Sequence, residues 1–503
     1  MIDKANSVQQ AVAWLRKHAQ IGAKLVIDSR AVQAGSIFVA LKGRHVDSAI
    51  FLPEAAQKGA AVALIEKRDD IVKAPLPVLS VGNLAHGLGD IASLWYGEPS
   101  AHMRGIAVTG TNGKTSTSHW IAALLTALHH PCAAVGTIGA FLASRRFTTP
   151  ALTTPDAASN QALFRDLFEA GAQAFAIEAS SIGLEQGRLT GTRFETAVFT
   201  NLTRDHLDYH GTFEAYEKAK AILFDWPQLK NAVINADDEA GRRFIAQSLA
   251  RGVRTLAYTT RGQSVAGAEM LEARNVRPLA HGTAFDFVWQ DRSYPVSTRL
   301  LGRFNVENVL AAVGAVLTLG VAPEAVVKRL ETLKAPAGRL EVVNQEDSCG
   351  PLAVVDYAHT PDALEKALTA LRDSVTLRGG RLTVVFGAGG DRDPGKRPLM
   401  GRAAALASDN VIVTSDNPRS ESPGMIAVAV AEGAGSCLVI LDRREAIRRA
   451  ILEARDEDIV LIAGKGHEDY QEIAGVKHHF SDFEEAEAAL ILRAAKYGKK
   501  GKK

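Results

Sequence analysis

Cysteine is scarce in this chain, with three in 503 residues, at Cys132, Cys349 and Cys437. Thiols that are few, widely spaced and odd in number suggest neither a disulfide framework nor a zinc cluster, and a reducing cytoplasm fits such usage. Nowhere do about 18 uncharged apolar residues run together, as a membrane span requires. The opening MIDKANSVQQ has no apolar signal core, so membrane insertion is not expected. An excess of one charge is missing as well: 58 basic against 56 acidic residues leave a net charge of +2. Such a balance gives no global pull toward nucleic acid or an anionic membrane. No short-period repeat or low-complexity tract occurs, and the closing KYGKKGKK reads as a solvated, glycine-broken end.

Hydrophobic residues make up 47% and charged residues 23%, as in ordinary globular proteins. The chain is too long for one core, and three domains are expected, at 1–100, 101–336 and 337–503. The first mixes short strands and helices into a small α/β domain. From residue 105, apolar runs (IAVTGT, CAAVGTIG, AFAIEAS, TAVFTNLT, NAVINAD) alternate with helical patterns (SHWIAALLTAL, SNQALFRDLFEAG). Uniformly apolar strands separated by helices predict a parallel sheet covered on both faces. Between about 255 and 300, GTAFDFVW and SYPVSTRL alternate as antiparallel strands do. Pro336 and Gly338 in LKAPAGRLE mark a hinge, after which LAVVDYAHT, RLTVVFGAGGDRD, NVIVTSDNPR, CLVILDR and DIVLIAGKGHED restart the alternation in a Rossmann-like α/β domain.

Residues 106–117, IAVTGTNGKTST, combine an apolar strand, a glycine-spaced turn and the start of a helix. Gly110 and Gly113 allow a tight bend that aims backbone N–H groups of Thr111, Asn112, Gly113, Ser116 and Thr117 at anionic oxygens, at the positive end of a helix. Lys114 is placed to contact the β- and γ-phosphates and Thr115 to ligate Mg²⁺. Val108 stands where the general phosphate loop has its first glycine, so GTNGKT is a shorter variant. Glu178, at the end of AFAIE, reads as a further Mg²⁺ ligand. NLTRDHLDYHGTFEAYEKAK gathers Asp205, His206, Asp208, His210 and Lys220 without zinc spacing. In open parallel sheets, ligands gather beyond the carboxyl ends of strands, where these clusters fall.

TGTNGKTST, EASSIGLEQGRL, NLTRDHLDYHG, LLGRFNVENVLAA, DYAHTPDAL, FGAGGDRDPGKRP, SDNPRSESP and GKGHEDYQ occur in the order found in the Mur ligases, and the chain resembles that family from about residue 27 to 471. The resemblance implies ATP-dependent amide synthesis: the D-glutamate carboxylate of UDP-MurNAc-L-Ala-D-Glu attacks the γ-phosphate, and an amino group displaces phosphate from the acyl phosphate. It implies that Lys114, Glu178, His206 and Lys220 form the catalytic and metal set, with Lys220 carbamylated to serve a second Mg²⁺. Neighbouring Lys218 makes that choice of lysine depend on alignment. For the nucleotide sugar it implies Ile27, Ser29, Arg44, His45, Val46, Thr153, Thr154, Ser180, Gln186 and Arg188. Leu152 stands where some members carry asparagine, and Arg44, His45 and Val46 where some carry His-Gln-Ala.

For the ATP base and ribose, expected between the second and third domains, the resemblance implies Asn305, Asn308, Arg339 and Asp356, with His359 beside them. DNPR, from Asp416 through Asn417 and Pro418 to Arg419, resembles the recognition motif of members that add meso-diaminopimelate. Diaminopimelate differs from lysine by one carboxylate, which a guanidinium can bind bidentately. Arg392 is implied for a further carboxylate, and Gly464 with Glu468 for the distal ammonium. A monomer with no nucleic-acid partner is expected. The rival readings are a regulatory nucleotidase, a nucleotide-sugar-binding protein and, among ligases, the lysine-adding, D-Ala-D-Ala-adding and folylpolyglutamate types.

Overall fold

A computed structural model describes residues 2–43, 46–67, 74–344 and 350–497. Contacts divide the chain into two compact units, residues 1–271 with 309–326, and residues 272–308 with 327–503.

The first unit opens with a five-stranded sheet of β1 (Asp3–Ala5), β2 (Leu25–Val26), β3 (Ile37–Ala40), β4 (Val62–Glu66) and β5 (Val78–Val81), ordered β1-β5-β4-β3-β2. Every pairing is parallel. Helices Val8–His18 and Leu84–Trp95 contribute Leu15, Leu88 and Ile91 to its core.

The second sheet of this unit follows the apolar runs of the sequence: β6 (Arg104–Thr109), β7 (Cys132–Gly136), β8 (Gly139–Leu142), β9 (Arg145–Phe147), β10 (Ala174–Glu178), β11 (Thr196–Phe199), β12 (Asn231–Asn235) and β13 (Arg254–Thr259). Their order is β13-β12-β11-β6-β10-β7-β8-β9. The six from β13 to β7 pair in parallel, and the short β8 and β9 are antiparallel. Phe164, Phe175, Phe194 and Phe199 are buried in one core, where a fully buried side chain of this size contributes about 1.5–3 kcal/mol. On the helix Lys114–Ala127, Trp120, Ile121, Ala122, Leu124 and Leu125 are the buried apolar residues.

After β14 (Glu269–Leu279), the strands β15 (Gly282–Trp289) and β16 (Arg292–Thr298) pair antiparallel. These three strands fall within residues 255–300, where alternating strands are expected, whereas the β8–β9 hairpin is not expected. In the second unit β17 (Glu341–Val342), β18 (Leu352–Asp356), β19 (Leu382–Phe386), β20 (Asn410–Val413), β21 (Leu438–Val439) and β22 (Ile459–Ala463) are ordered β17-β18-β22-β19-β20-β21. All pairs but β17–β18 are parallel, and separate apolar cores cover the two faces. A two-stranded ribbon, β23 (Tyr470–Ile473) and β24 (Val476–His479), lies beside the loop that follows β20. The α/β class expected from the sequence is the observed one.

Candidate active site

Four adjacent strands, β11, β6, β10 and β7, deliver the first polar cluster from their carboxyl ends. After β6 the chain turns at Gly110 (φ 150°) and Gly113 (φ 84°) and enters the helix Lys114–Ala127. A Cβ on Gly110 would lie 1.9 Å from Thr200 Oγ1, so only glycine lets the loop pass the end of β11. That end grips the loop: Asn201 Oδ1 accepts from Asn112 N at 3.0 Å, and Thr200 Oγ1 donates to Asn112 O at 2.6 Å. Thr111 Oγ1 accepts from Thr203 N at 2.9 Å and meets the Tyr216 hydroxyl at 3.0 Å. Ser116 and Thr117 are buried in the first helical turn.

Lys114 Nζ folds back to donate to Gly110 O and Thr111 O, each at 2.9 Å. Thr115 Oγ1 donates to Glu178 Oε1 at 2.9 Å, both residues being buried. Thr137, at the end of β7, donates its N–H to the same oxygen at 2.8 Å and its hydroxyl to Oε2 at 3.2 Å. A Cβ on Gly136 would stand 2.0 Å from Glu178 Oε1, so a bare backbone there makes room for the carboxylate. Two hard oxygen donors side by side suit Mg²⁺, which takes few protein ligands and completes its shell with water and phosphate. No group of three or more His, Cys, Asp or Glu side chains placed to hold a metal ion exists among the described residues.

Lys220, on the helix Phe213–Ala221, is buried; its Nζ donates to Gly110 O at 2.8 Å and stands 4.4 Å from the Tyr216 ring centre. Burial, aided by the charge of Lys114, pushes its pKa well below the lysine range. Desolvation pushes the Tyr216 hydroxyl up to about 12. His206 sits in a left-handed conformation (φ 53°), and burial together with the charges of Lys114 and Lys220 lowers its pKa despite Asp205. An unmodified lysine repels Mg²⁺ and is no ligand for it. His210 is enclosed, 3.0 Å from both Glu185 Oε2 and Ser181 Oγ.

Beyond β10, Ser180 caps the helix Ser181–Glu185, and its hydroxyl meets Thr154 Oγ1 at 2.9 Å. Thr153 accepts from Thr137 Oγ1 at 3.1 Å. Arg188 donates to Thr154 O at 3.0 Å and to Gln186 Oε1 at 2.7 Å. In the first sheet's loops, Ile27 is half-buried, Ser29 donates to Glu54 Oε2 at 3.0 Å, and Val46 is exposed. Arg44 and His45 lie outside the described residues.

The second unit builds its own cluster at the carboxyl ends of β18, β22, β19 and β20. Asp356 accepts from Leu340 N and Ala358 N, both at 2.8 Å; burial raises its pKa, while Arg339 pulls the other way. Arg339 faces the Tyr357 ring at 5.1 Å. Asn305 donates to Leu301 O at 2.9 Å and accepts from Asn308 at 3.3 Å, so both amides are buried against their own helix. His359 Nδ1 lies 2.8 Å from Tyr357 O, and desolvation lowers its pKa.

In the loop after β20, Arg419 (φ 52°) donates to Gly390 O at 2.7 Å and stands 3.4 Å from Glu472 Oε2. Asn417 donates to Glu468 Oε2 at 2.9 Å and accepts from Lys465 Nζ at 3.1 Å, and Lys465 is itself 3.1 Å from Glu468. Asp416 and Pro418 are buried, and Arg392 is exposed. Thr137, Thr200, Tyr216, Lys465 and Glu472 were not singled out in the sequence. Lys465 lies inside the GKGHEDYQ motif, whereas Glu472 reaches the site through the β23–β24 ribbon, which left no local signal.

A phosphate loop on a parallel sheet, with a second doubly wound sheet carrying mixed charges at its strand ends, defines a nucleotide-dependent α/β enzyme. The chain belongs to the Mur ligase family: residues 23–96 match the family's catalytic domain, 108–316 its middle domain and 338–466 its glutamate ligase domain. It is thus an ATP-dependent ligase that forms an amide bond. It is 46% identical over 493 residues, 95% of each chain, to the UDP-N-acetylmuramoyl-L-alanyl-D-glutamate--2,6-diaminopimelate ligase of Ralstonia nicotianae. Identity to the protein of that name from Pseudomonas aeruginosa is 44%, over 93% of this chain and 94% of the relative. A solved structure of a ligase of that name superimposes with a TM-score of 0.68 at 39% identity, covering 93% of this chain and 95% of the other.

Proposed function

We propose that the protein joins meso-2,6-diaminopimelate to the D-glutamate carboxylate of UDP-MurNAc-L-Ala-D-Glu, consuming ATP and releasing the UDP-MurNAc-tripeptide, ADP and phosphate, a step of peptidoglycan synthesis. The carboxylate oxygen attacks the γ-phosphorus and ADP leaves. The amine then attacks the acyl carbon, loses a proton, and phosphate departs from the tetrahedral intermediate.

A carboxylate approaching a triphosphate is a meeting of anions, so the site must neutralise both. The loop N–H groups after Gly110 and the start of the following helix cradle the phosphates, and Lys114 swings from the loop carbonyls to the phosphate oxygens. Thr115 and Glu178 would hold Mg²⁺, and carbamylated Lys220 with His206 a second ion. When bound, the metal would supply charge neutralisation. Ser29, Thr153, Thr154, Ser180, Gln186 and Arg188, with the loop of residues 44–46, receive the nucleotide sugar. Asn305, Asn308, Arg339 and Asp356 serve ATP. Asp416, Asn417 and Arg419 with Arg392, Gly464 and Glu468 receive the amino acid. The same reading assigns residues 1–100 to the UDP-sugar, 101–336 to ATP and 337–503 to the amino acid, in a cytoplasmic monomer.

The observation that carries the choice of amino acid is the presence of a guanidinium, Arg419, in the loop after β20 and of a carboxylate, Glu468, in the loop after β22, the two loops being joined by the hydrogen bond from Asn417 to Glu468. A substrate with a carboxylate and an ammonium on its far carbon needs one of each. The test offers UDP-MurNAc-dipeptide, ATP and Mg²⁺ with diaminopimelate, lysine or D-Ala-D-Ala, following phosphate release and product mass. Product with diaminopimelate alone is expected; equal turnover of lysine would overturn the choice.

A further inference from the structure

Arg443 and Asp482 form an ion pair in which neither side chain has any exposure. The contact is bidentate, Nε to Oδ1 and Nη2 to Oδ2, both at 2.7 Å. Arg443 opens the helix Arg443–Glu453 and Asp482 the helix Asp482–Tyr497, and the two helices pack together. Stability alone explains such a pair poorly, since a well-packed apolar pair of the same volume is often as stable as a dehydrated ion pair. The remaining donors show what an apolar pair could not supply. Nη2 also donates to Ala463 O at 2.9 Å and Nη1 to Ser415 O at 3.2 Å.

Those carbonyls occupy the two positions from which the amino-acid loops depart. Ala463 ends β22, immediately before Gly464, and Ser415 immediately precedes Asp416. The loops also nearly touch: a Cβ on Gly464 would stand 2.5 Å from Asp416 Oδ2. Higher up, Lys465 and Asn417 converge on Glu468 Oε2, which joins the loops a second time. The guanidinium is thus a rigid spacer under two backbone segments, β19 lying between their strands.

We propose that Arg443, held by Asp482, is a positioning residue for amino-acid recognition: it sets the separation of the loops after β20 and β22, and with it the distance between Arg419 and Glu468. This rests on the function proposed above. Its consequence spares the nucleotide sugar, whose residues and the phosphate loop belong to the other unit, whereas Asp356 pairs with Ala463 in the same sheet.

The experiment compares the wild type, Asp482→Asn and the apolar pair Arg443→Met with Asp482→Leu. For each, KM for diaminopimelate, ATP and UDP-MurNAc-dipeptide is measured, with the diaminopimelate-to-lysine ratio of kcat/KM and the melting temperature. The expected result is a KM for diaminopimelate raised about tenfold in the folded apolar pair, with KM for UDP-MurNAc-dipeptide unchanged and the amino-acid ratio reduced; 1.4 kcal/mol of lost positioning corresponds to that factor. Asp482→Asn, which keeps the shape, should show the same split at smaller size and remains decisive if the apolar pair does not fold. Wild-type amino-acid KM in a variant with a lowered melting temperature, or equal rises for all three substrates, would overturn the proposal. If the wild type uses another amino acid, the functional reading fails separately, and the same split is then measured with that amino acid.

Discussion

Arg419, in the loop after β20, holds a left-handed conformation and spreads its guanidinium between a carbonyl and Glu472. One side of the fork is therefore already fixed before any ligand arrives, which lowers the entropy lost on binding a second carboxylate. Truncating one member of a desolvated charge pair costs about 2–5 kcal/mol, so Arg419→Ala should reduce kcat/KM for diaminopimelate by roughly thirtyfold or more. Lysine, lacking the second carboxylate, should lose no more than about 1 kcal/mol, and steady-state assays with both amino acids measure the difference. Equal losses would remove Arg419 from recognition. Lys220 poses a separate question of charge state. Its depressed pKa leaves the amine neutral at a lower pH than an ordinary lysine. Carbamate formation consumes neutral amine and releases a proton, so it is favoured as pH rises and lost as pH falls. Activity in CO₂-depleted buffer should accordingly drop most on the acid side and recover with bicarbonate, while Lys220→Met, which cannot add CO₂, shows no recovery. Mass spectrometry of the native protein should find one added CO₂.

At the scale of the element, the phosphate loop works because β6, β10, β7 and β11 end together. The loop's glycines were legible in the sequence; their neighbours were not. Gly110 passes Thr200, which lies 90 positions later in the chain and only one strand away in the sheet. An alanine there must displace that hydroxyl, an overpacking that costs about 1–3 kcal/mol. Gly110→Ala should therefore lower both the melting temperature and the nucleotide affinity measured by calorimetry. Gly113→Ala carries the conformational penalty of a positive φ, about 1–2 kcal/mol. Glu178 was legible as a strand-end carboxylate, but Thr137, which supplies two of its hydrogen bonds, follows a strand separated from β10 in the chain by a whole helix. Short polar residues at strand ends look alike in sequence, and only the strand order says which of them meet.

For the whole molecule, the prediction concerns coupling. A nucleotidase switch would release phosphate from ATP unaided, whereas a ligase passes the phosphoryl group to a carboxylate and needs an amine to finish. Phosphate release should be near background with ATP alone and should rise by orders of magnitude only when UDP-MurNAc-dipeptide and diaminopimelate are both present, as enzymes typically accelerate by 10⁶-fold or more over uncatalysed reactions. Free-running ATP turnover would contradict this.

Local chemistry was readable along the chain. Apolar runs and helical periodicity determined the α/β class and the parallel sheets, and GTNGKT carried the phosphate loop, because each depends on neighbouring residues whose spacing is covalent; DNPR stood out only by its resemblance to a family motif. Tertiary structure alone decided the partners: Lys220 over Gly110, Thr137 on Glu178, Glu472 beside Arg419 and Arg443 beneath two loops. These contacts join segments far apart in sequence. Hydrogen bonds and charges act over a few ångströms, and which distant residues come that close is set by strand order and helix packing.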